Sequence, residues 1–177
     1  MRFRENKRFK SGFTLIELMI VIAIIGIMSS VAIPNIIGWL PSYRLRSAAQ
    51  DIVSLMQETK LRAVKENATA AMLFDFSGNK YTAWVDNGTG GGADNFLYES
   101  LSGEVLFKQE SLPVDIDLYQ AASQNIGNPF AFNNRGFPAK TVGKVFLKNT
   151  KSNYRRIVVN QAGNIRVEKS IDGTNWN

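Results

Sequence analysis

The sequence predicts an α+β fold: a long N-terminal helix, transmembrane in its first half and amphipathic in its second, packed on an antiparallel β-sheet head. Three observations support this prediction. An apolar stretch follows a basic N-terminus, an apolar stripe at helical spacing comes next, and short strand-like segments separated by turn residues fill the remainder. A chain of 177 residues leaves room for a single compact domain after the helix.

The apolar stretch runs from Phe13 to Ile33 and contains one charged residue, Glu17. A helix of these 21 residues is about 31 Å long, which matches the hydrocarbon core of a bilayer. The segment before it carries five basic residues against one acidic residue, which predicts a cytoplasmic N-terminus. A carboxylate in hydrocarbon costs about 2.5–3.5 kcal/mol unless it is paired or protonated, so Glu17 requires a functional reason.

The helix is predicted to continue beyond the membrane as an amphipathic segment. Pro34 and Pro41 each remove a backbone donor, so a bend or short break is expected between Ile33 and Ser42. The residues that follow alternate between a solvated face and an apolar stripe at three- and four-residue spacing. The stripe consists of Leu45, Ala48, Ala49, Ile52, Leu55, Met56 and Ala63.

After Asn67 the hydrophobic period changes from that of a helix to that of strands. Turns are expected at residues 77–80 and 161–164, where glycine and asparagine separate apolar segments. The run of short segments predicts antiparallel sheets. The predicted strands are Ala71–Phe76, Tyr81–Val85, Val105–Lys108, Val114–Tyr119, Val145–Leu147, Arg156–Val159 and Ile165–Glu168.

Composition argues against an enzyme. The chain has no cysteine and no histidine, which removes disulfides, the usual zinc sites and every nucleophile–histidine pair. The loop Asp86–Asn95 fits the bare G-x-G-x-x-A pattern of dinucleotide sites, but no helix follows to hold a pyrophosphate. Asp86 and Asp94 in that loop are too few for a calcium site. No cofactor and no metal site are predicted.

Residues 12–34 closely resemble the class III signal of type IV prepilins and type II secretion pseudopilins, in which G-F-T-L-I-E precedes an apolar helix. The resemblance implies that prepilin peptidase cleaves after Gly12 and methylates Phe13, the new N-terminus. It also implies that Glu17 pairs with the terminus of a neighbouring subunit during filament growth. Pro34 falls where many members have a helix-bending proline.

The same resemblance implies the organisation and location of the chain. Residues 1–12 form a cleaved cytoplasmic leader, 13–41 a transmembrane and polymerisation helix, and 42–177 a periplasmic pilin-like head. The protein is expected to span the inner membrane once, in contact with its lipid, and then to enter a pilus or pseudopilus. Its partners are then prepilin peptidase and other pilin or pseudopilin subunits.

A second resemblance lies in the C-terminal third. The segment from Phe130 to Pro138, with Gly136, and the later Gly163-Asn-Ile-Arg166 are similar to H-type pseudopilins and FimT-type minor pilins. This resemblance implies that the long helix packs on a sandwich head of two antiparallel sheets. It also implies the role of a minor subunit, in protein secretion or in pilus biogenesis. The sequence leaves open which of the two machines it serves.

DNA binding is the alternative function. Residues 133–177 hold nine basic and two acidic residues, and some FimT-type pilins are linked to DNA uptake. Asn164 stands where DNA-binding variants carry the first arginine of G-R-x-R, which weakens this interpretation. The candidate DNA-binding residues are Lys144, Lys148, Lys151, Arg155, Arg156, Arg166 and Lys169.

Overall fold

The computed structural model describes residues 12–86, 98, 104–121, 125–139 and 142–177. The predicted leader, up to Ser11, and most of the glycine-rich loop after Asp86 lie outside these residues. The chain divides into two compact units, Met1–Trp39 and Leu40–Asn177. The helix and strands among the described residues are α1 Leu15–Lys65, β1 Thr69–Asp75, β2 Lys80–Asp86, β3 Val105–Ser111, β4 Ile116–Tyr119, β5 Phe130–Phe132, β6 Gly143–Asn149, β7 Tyr154–Val159 and β8 Ile165–Ser170.

Helix α1 is continuous over its 51 residues, including Pro34 and Pro41. The predicted short break between Ile33 and Ser42 is therefore wrong, while the predicted bend stays a prediction. An internal proline removes one backbone donor and crowds the carbonyl one turn earlier. The loss is local, and helical residues on both sides of each proline keep their own hydrogen bonds.

The second half of α1 buries the predicted stripe. All seven stripe residues are buried, and Thr59 joins them. Its hydroxyl donates to the carbonyl oxygen of Leu55 at 2.7 Å, so a polar group lies in the core without an unmet hydrogen bond. The helix ends at Lys65, and Asn67 follows with a φ of 50°, a left-handed conformation that asparagine tolerates.

The described strands form two antiparallel four-stranded sheets, as the C-terminal resemblance implies. The first has the order β3-β2-β1-β5 and the second the order β4-β6-β7-β8. Strand β5 was not predicted, and β4 begins at Ile116 because Val114 lies in a turn and is fully exposed. The turns at 77–80 and 161–164 join β1 to β2 and β7 to β8 as expected.

One core joins α1 to both sheets. It includes Ile52 and Met56 from α1, Met72 and Phe130 from the first sheet, and Leu147 from the second. Every one of these side chains is at most 1 % exposed. The core begins at Leu45, so it is built entirely within the unit Leu40–Asn177.

Candidate functional site: the N-terminal segment and the cations of the second sheet

Thr14 and Glu17 cap the N-terminus of α1 through reciprocal hydrogen bonds. The backbone N–H and the hydroxyl of Thr14 each donate to a carboxylate oxygen of Glu17 at 2.8 Å. The N–H of Glu17 donates back to the Thr14 hydroxyl oxygen at 3.2 Å. This arrangement is a capping box, which satisfies amide groups that a helix N-terminus leaves without intrahelical partners.

Glu17 therefore has a hydrogen-bonding partner within its own chain. In the sequence, this carboxylate is identified only as a charge that needs a partner, and Thr14 is not identified as its hydrogen-bonding partner. The spacing Thr14-Leu-Ile-Glu17 is the sequence signal that identifies a capping box. The box provides hydrogen bonds but no positive charge, so it does not replace a cationic partner for Glu17.

The two residues of the predicted processing site precede this cap. Gly12 is exposed, and a Cβ built on it would meet no atom within 4 Å. Phe13 is 89 % exposed. In the described part of the chain, nothing shields the bond between them from a peptidase.

The side chains of the apolar half of α1 are exposed in the part of the chain that the structure describes. Its large side chains, from Leu15 to Ile37, are about half to three-quarters exposed. The helix is long and apolar enough to cross a membrane, with a mean hydropathy of 2.5 over its most apolar 18-residue window. An apolar surface of this extent requires lipid or protein contact.

Four of the predicted DNA-binding cations share the outer face of the second sheet. Arg156 lies opposite Phe146 on β6 and Glu168 on β8, and residues directly opposite on antiparallel strands share a face. Alternation along the strands places the other three on the same side. These three are Lys144, Lys148 and Arg166.

Acidic residues neutralise part of this face. Glu168 forms ion pairs with Arg156 and with Arg166, the latter at 2.7 Å. Burial would raise the pKa of Glu168, but the hydrogen bonds and charges of the two arginines lower it below its usual value. Lys148 lies 3.8 Å from Asp117. The guanidinium of Arg156 also stacks over the Trp176 ring, 4.4 Å from its centre.

The remaining three candidates lie elsewhere. Lys151 is in the turn between β6 and β7, where its N–H donates to the Asn149 side chain at 3.0 Å. Arg155 and Lys169 lie opposite each other on β7 and β8, on the face that carries the core. They line a cavity of about 340 Å³ beside Arg46 of α1. The seven cations thus do not form one surface, and DNA binding stays a prediction.

Two family models match the chain. The prokaryotic N-terminal methylation motif matches residues 7–33, and the type II transport protein GspH model matches residues 48–163. The second model spans well over half of the chain. The first match covers most of the exposed apolar helix, and the second covers the head from residue 48 to the turn before β8.

Relatives of similar sequence are pilin-like, fimbrial or secretion-system proteins. The pilin-like protein PilA1 of Thermus thermophilus is 27 % identical over 164 residues, covering 90 % of this chain and 99 % of the relative. Type II secretion system core protein G of Aeromonas hydrophila is 38 % identical over 80 residues, 44 % of this chain and 56 % of that protein. The type IV major fimbrial protein FimA of Dichelobacter nodosus is 49 % identical over 61 residues, about a third of each chain.

Two solved structures have the same fold. The minor pseudopilin EpsH of Vibrio cholerae superposes with a TM-score of 0.52 at 12 % identity, covering 70 % of this chain and 95 % of EpsH. The type IV minor pilin FimU of Pseudomonas aeruginosa PAO1 gives 0.54 at 13 % identity, covering 72 % and 90 %. These matches confirm the predicted fold class, and the family matches confirm the predicted kinship with pilins and pseudopilins. The chain belongs to the GspH family of type II transport proteins, which are structural pilin-like subunits, and it carries the N-terminal methylation motif.

Proposed function

We propose that the chain is a minor subunit that assembles through α1 into a type II secretion pseudopilus or a type IV pilus. The observation that carries the proposal is the exposed apolar half of α1, which directly follows a peptidase-accessible Gly12–Phe13 bond. Prepilin peptidase cleaves after Gly12 and methylates Phe13. The partners of the mature chain are other pilin or pseudopilin subunits.

Before assembly, the apolar helix lies in the lipid of the inner membrane. The basic N-terminal segment keeps that end of the helix in the cytoplasm, so the head is periplasmic. Residues 13–41 form the membrane and polymerisation segment, and residues 42–177 form the head. In the filament, apolar helices of neighbouring subunits replace the lipid around α1.

Glu17 selects the register of that helix packing. Cleavage after Gly12 leaves an ammonium group on Phe13, and N-methylation retains its charge. Burying this ammonium without a counter-charge is strongly unfavourable, so a neighbour's Glu17 stabilises one register over slipped ones. The capping box holds the carboxylate at the N-terminal end of α1. In the proposed packing, the Phe13 ammonium of the neighbouring subunit lies beside this end.

The test separates the charge of Glu17 from its capping role. Glu17→Gln retains side-chain groups that can complete a capping box, but it removes the charge. Thr14→Ala removes the cap hydroxyl and retains the charge, at a cost of about 1 kcal/mol to the helix. Full-length variants are expressed with the other subunits, and immunoblots compare membranes with sheared filaments.

We expect Glu17→Gln to reach the membrane at the wild-type level and to enter filaments at least about tenfold less, because an unpaired buried charge costs several kcal/mol. Thr14→Ala is expected to enter filaments nearly as well as the wild type. Normal incorporation of Glu17→Gln contradicts the pairing role. Equal losses in the two variants assign the effect to the cap instead.

A further inference from the structure

Asparagine side chains satisfy backbone groups at strand edges of both sheets. The Asn128 side chain donates to the carbonyl oxygen of Phe74 on β1 at 2.8 Å and accepts from its N–H at 2.9 Å. The Asn79 side chain bonds in the same way to the C=O of Ile116 and the N–H of Leu118 on β4. An open strand edge offers such groups to a strand of another chain, so these bonds oppose strand addition at β1 and β4.

The β8 edge of the second sheet is closed at one residue and open at two others. Asn177 exchanges two backbone hydrogen bonds with Lys169, at 2.8 and 3.0 Å, on the side of β8 away from β7. Backbone groups point to alternate sides from one residue of a strand to the next, so those of Ile165 and Val167 point to this same side. Within the described residues, nothing bonds to these four N–H and C=O groups. The edge at Ile165 and Val167 can therefore accept a further strand.

Cations surround a cavity beside this open edge. Val167, Arg155 and Lys169 line a cavity of about 340 Å³ together with Arg46 and Gln50 of α1. Its described lining contains three cations and no carboxylate, and none of the three forms an ion pair in the part of the chain that the structure describes. Burial and the charge of Arg46 lower the pKa of Arg155. A carboxylate in this cavity reduces the repulsion among the three cations.

The edges of the first sheet lack this combination. At β5, the N–H of Ala139 donates to the carbonyl oxygen of Ala131 at 2.8 Å, so the chain itself covers that edge. On β3, Lys108 lies 2.6 Å from Glu110, so its cation already has a carboxylate partner. Among the described strand edges, β8 combines open backbone groups with a cationic cavity.

The register of β8 shows which side chain of an added strand meets the cavity. Adjacent strands lie about 4.8 Å apart, and residues directly opposite each other share a face of the sheet. Val167 lines the cavity, so the residue opposite Val167 on an added strand faces the same cations. An acidic side chain is the one that suits this position.

We propose that the β8 edge binds an extended acidic segment in the head of a different pilin-like subunit. The proposal rests on the proposed function and adds the chemistry of the partner. The backbone groups of Ile165 and Val167 hold the segment as a fifth strand of the second sheet. An aspartate or glutamate opposite Val167 enters the cavity and pairs with its cations.

The position of Arg46 favours a neighbouring subunit as the source of this strand. Arg46 lies on α1, the helix through which the subunits assemble, so helix packing holds the head of a neighbour near the same surface. Such tethering raises the effective concentration of the segment, and a few backbone bonds with one ion pair then suffice for binding. The neighbours of a minor subunit are other members of the assembly, so the strand comes from a different chain.

Photo-cross-linking in assembled filaments tests the contact. Benzoylphenylalanine replaces Gln50, which is exposed, uncharged and part of the cavity lining. The full-length chain is expressed with the other subunits, sheared filaments are irradiated, and mass spectrometry identifies the linked peptide. We expect this peptide to come from a different subunit and to contain an aspartate or glutamate.

Two substitutions at Val167 test the backbone pairing. Val167→Pro removes the N–H that points away from β7 and retains the bonds between β7 and β8, as proline permits at an edge. Val167→Ala also shortens the side chain but retains the N–H. We expect Val167→Pro to give at least about fivefold less cross-link than Val167→Ala, because a carbonyl of the partner loses its donor. Urea unfolding of the detergent-solubilised variants checks that both heads fold.

Charge reversal tests the cavity independently of Val167. Lys169→Glu is expected to lower the cross-link yield about fivefold, the effect of losing an ion pair of modest strength. Replacing the acidic residue of the linked peptide by lysine should restore the yield. The matched control is Arg166→Glu, which also lies on β8 and is exposed, but on the opposite face, and should leave the yield unchanged.

The outcomes separate the two proposals. A chain that is absent from filaments contradicts the proposed function and, with it, the edge contact. A chain that enters filaments but links to no other subunit, or only to a second copy of itself, contradicts the edge contact alone. A yield that falls with Lys169→Glu but is equal in Val167→Pro and Val167→Ala shows recognition by charge alone, as of a phosphate group, and also overturns strand pairing.

Discussion

Gly163 lies directly against Gly136: a Cβ built on Gly163 would be 2.6 Å from the carbonyl oxygen of Gly136. Both glycines have positive φ angles, 73° and 77°. The Nζ of Lys60 on α1 donates to the carbonyl oxygen of Gly163 at 3.0 Å. The two glycines that mark the C-terminal resemblance therefore form one contact, which joins two turns of the head to the helix.

Replacing Gly163 by alanine should destabilise the head strongly. The new Cβ meets the backbone carbonyl oxygen of Gly136, which cannot rotate away, and alanine is strained at positive φ. We expect Gly163→Ala to lower the free energy of unfolding by about 2–4 kcal/mol, measured by urea unfolding of the detergent-solubilised chain. Gly173→Ala is the control, because its φ is 76° but the nearest atoms, in the Tyr154 ring, lie 3.4 Å away. Equal losses in both variants would contradict the importance of the contact.

Asn79 should contribute more than an ordinary turn residue. Its side chain donates to the carbonyl oxygen of Ile116 and accepts from the N–H of Leu118 at 2.8 Å, which links the β1–β2 turn to β4 of the other sheet. Asn79→Ala leaves both backbone groups without these partners, so we expect a loss of about 2–4 kcal/mol in the free energy of unfolding.

The control for Asn79 is Asn67→Ala. Asn67 has nearly the same φ, 50° against 52°, but within the described residues its side chain accepts a hydrogen bond from that of Asn134 alone, at an exposed site. The Asn67→Ala variant therefore measures only the loss of stability caused by alanine in the left-handed region. A loss as large as that of Asn79→Ala would show that the link between the sheets is unimportant.

Glu168 should make the head sensitive to acid. Its pKa in the folded chain lies below the ordinary value of 4.5, so its contribution to stability is complete above that value and is lost as the pH falls through the folded pKa. We expect Glu168→Gln to lower the free energy of unfolding at neutral pH by about 1–2 kcal/mol. The variant should also lose less of that free energy than the wild type when the pH is lowered. Urea unfolding between neutral and acidic pH measures both.

Glu58→Gln is the matched control for Glu168. Glu58 also pairs with an arginine, Arg62, at 2.9 Å, but its side chain is 46 % exposed. An exposed pair of this kind contributes about 0.5 kcal/mol, so the acid profile should stay close to that of the wild type. A Glu168→Gln profile that is indistinguishable from the Glu58→Gln profile would contradict the role of burial.

Processing gives a prediction at the covalent level. Mass spectrometry of the mature chain should find Phe13 at the N-terminus, one methyl group heavier than unmodified phenylalanine. Gly12→Leu is expected to abolish cleavage without disturbing the structure, since no atom lies within 4 Å of a Cβ at this position. Gly26→Ala is equally unobstructed and should be processed normally. An uncut wild-type chain would contradict the assignment of the leader.

The helix could be predicted from its hydrophobic period, and seven of the eight described strands from short apolar segments bounded by turn residues. Strand β5 could not, since Phe130-Ala-Phe132 is short and buried at all three positions, with no alternation to identify it. Only its register with Ala70–Met72 of β1 makes it a strand. Tertiary pairing, and not local sequence, determines this element.

The candidate site was predictable in chemistry but not in placement. Glu17 is conspicuous as a charge in an apolar helix, whereas its bond to Thr14 depends on where the helix begins. The C-terminal cations lie close together in the sequence, which suggests a single basic surface. Strand β7 begins at Tyr154, two residues earlier than predicted, so Arg155 and Arg156 point to opposite faces of the sheet. The alternation of side chains along the strand therefore separates cations that are adjacent in the sequence.

Among the described residues, the core of the head begins at Leu45 and includes no side chain from the apolar half of α1. The side-chain packing of the head core is therefore the same whether lipid or protein surrounds that half. We expect a subunit to exchange acyl chains for neighbouring helices, and to return, without refolding. We infer that growth and disassembly of the filament transfer the apolar half of α1 between lipid and neighbouring helices, while the fold of the head stays unchanged.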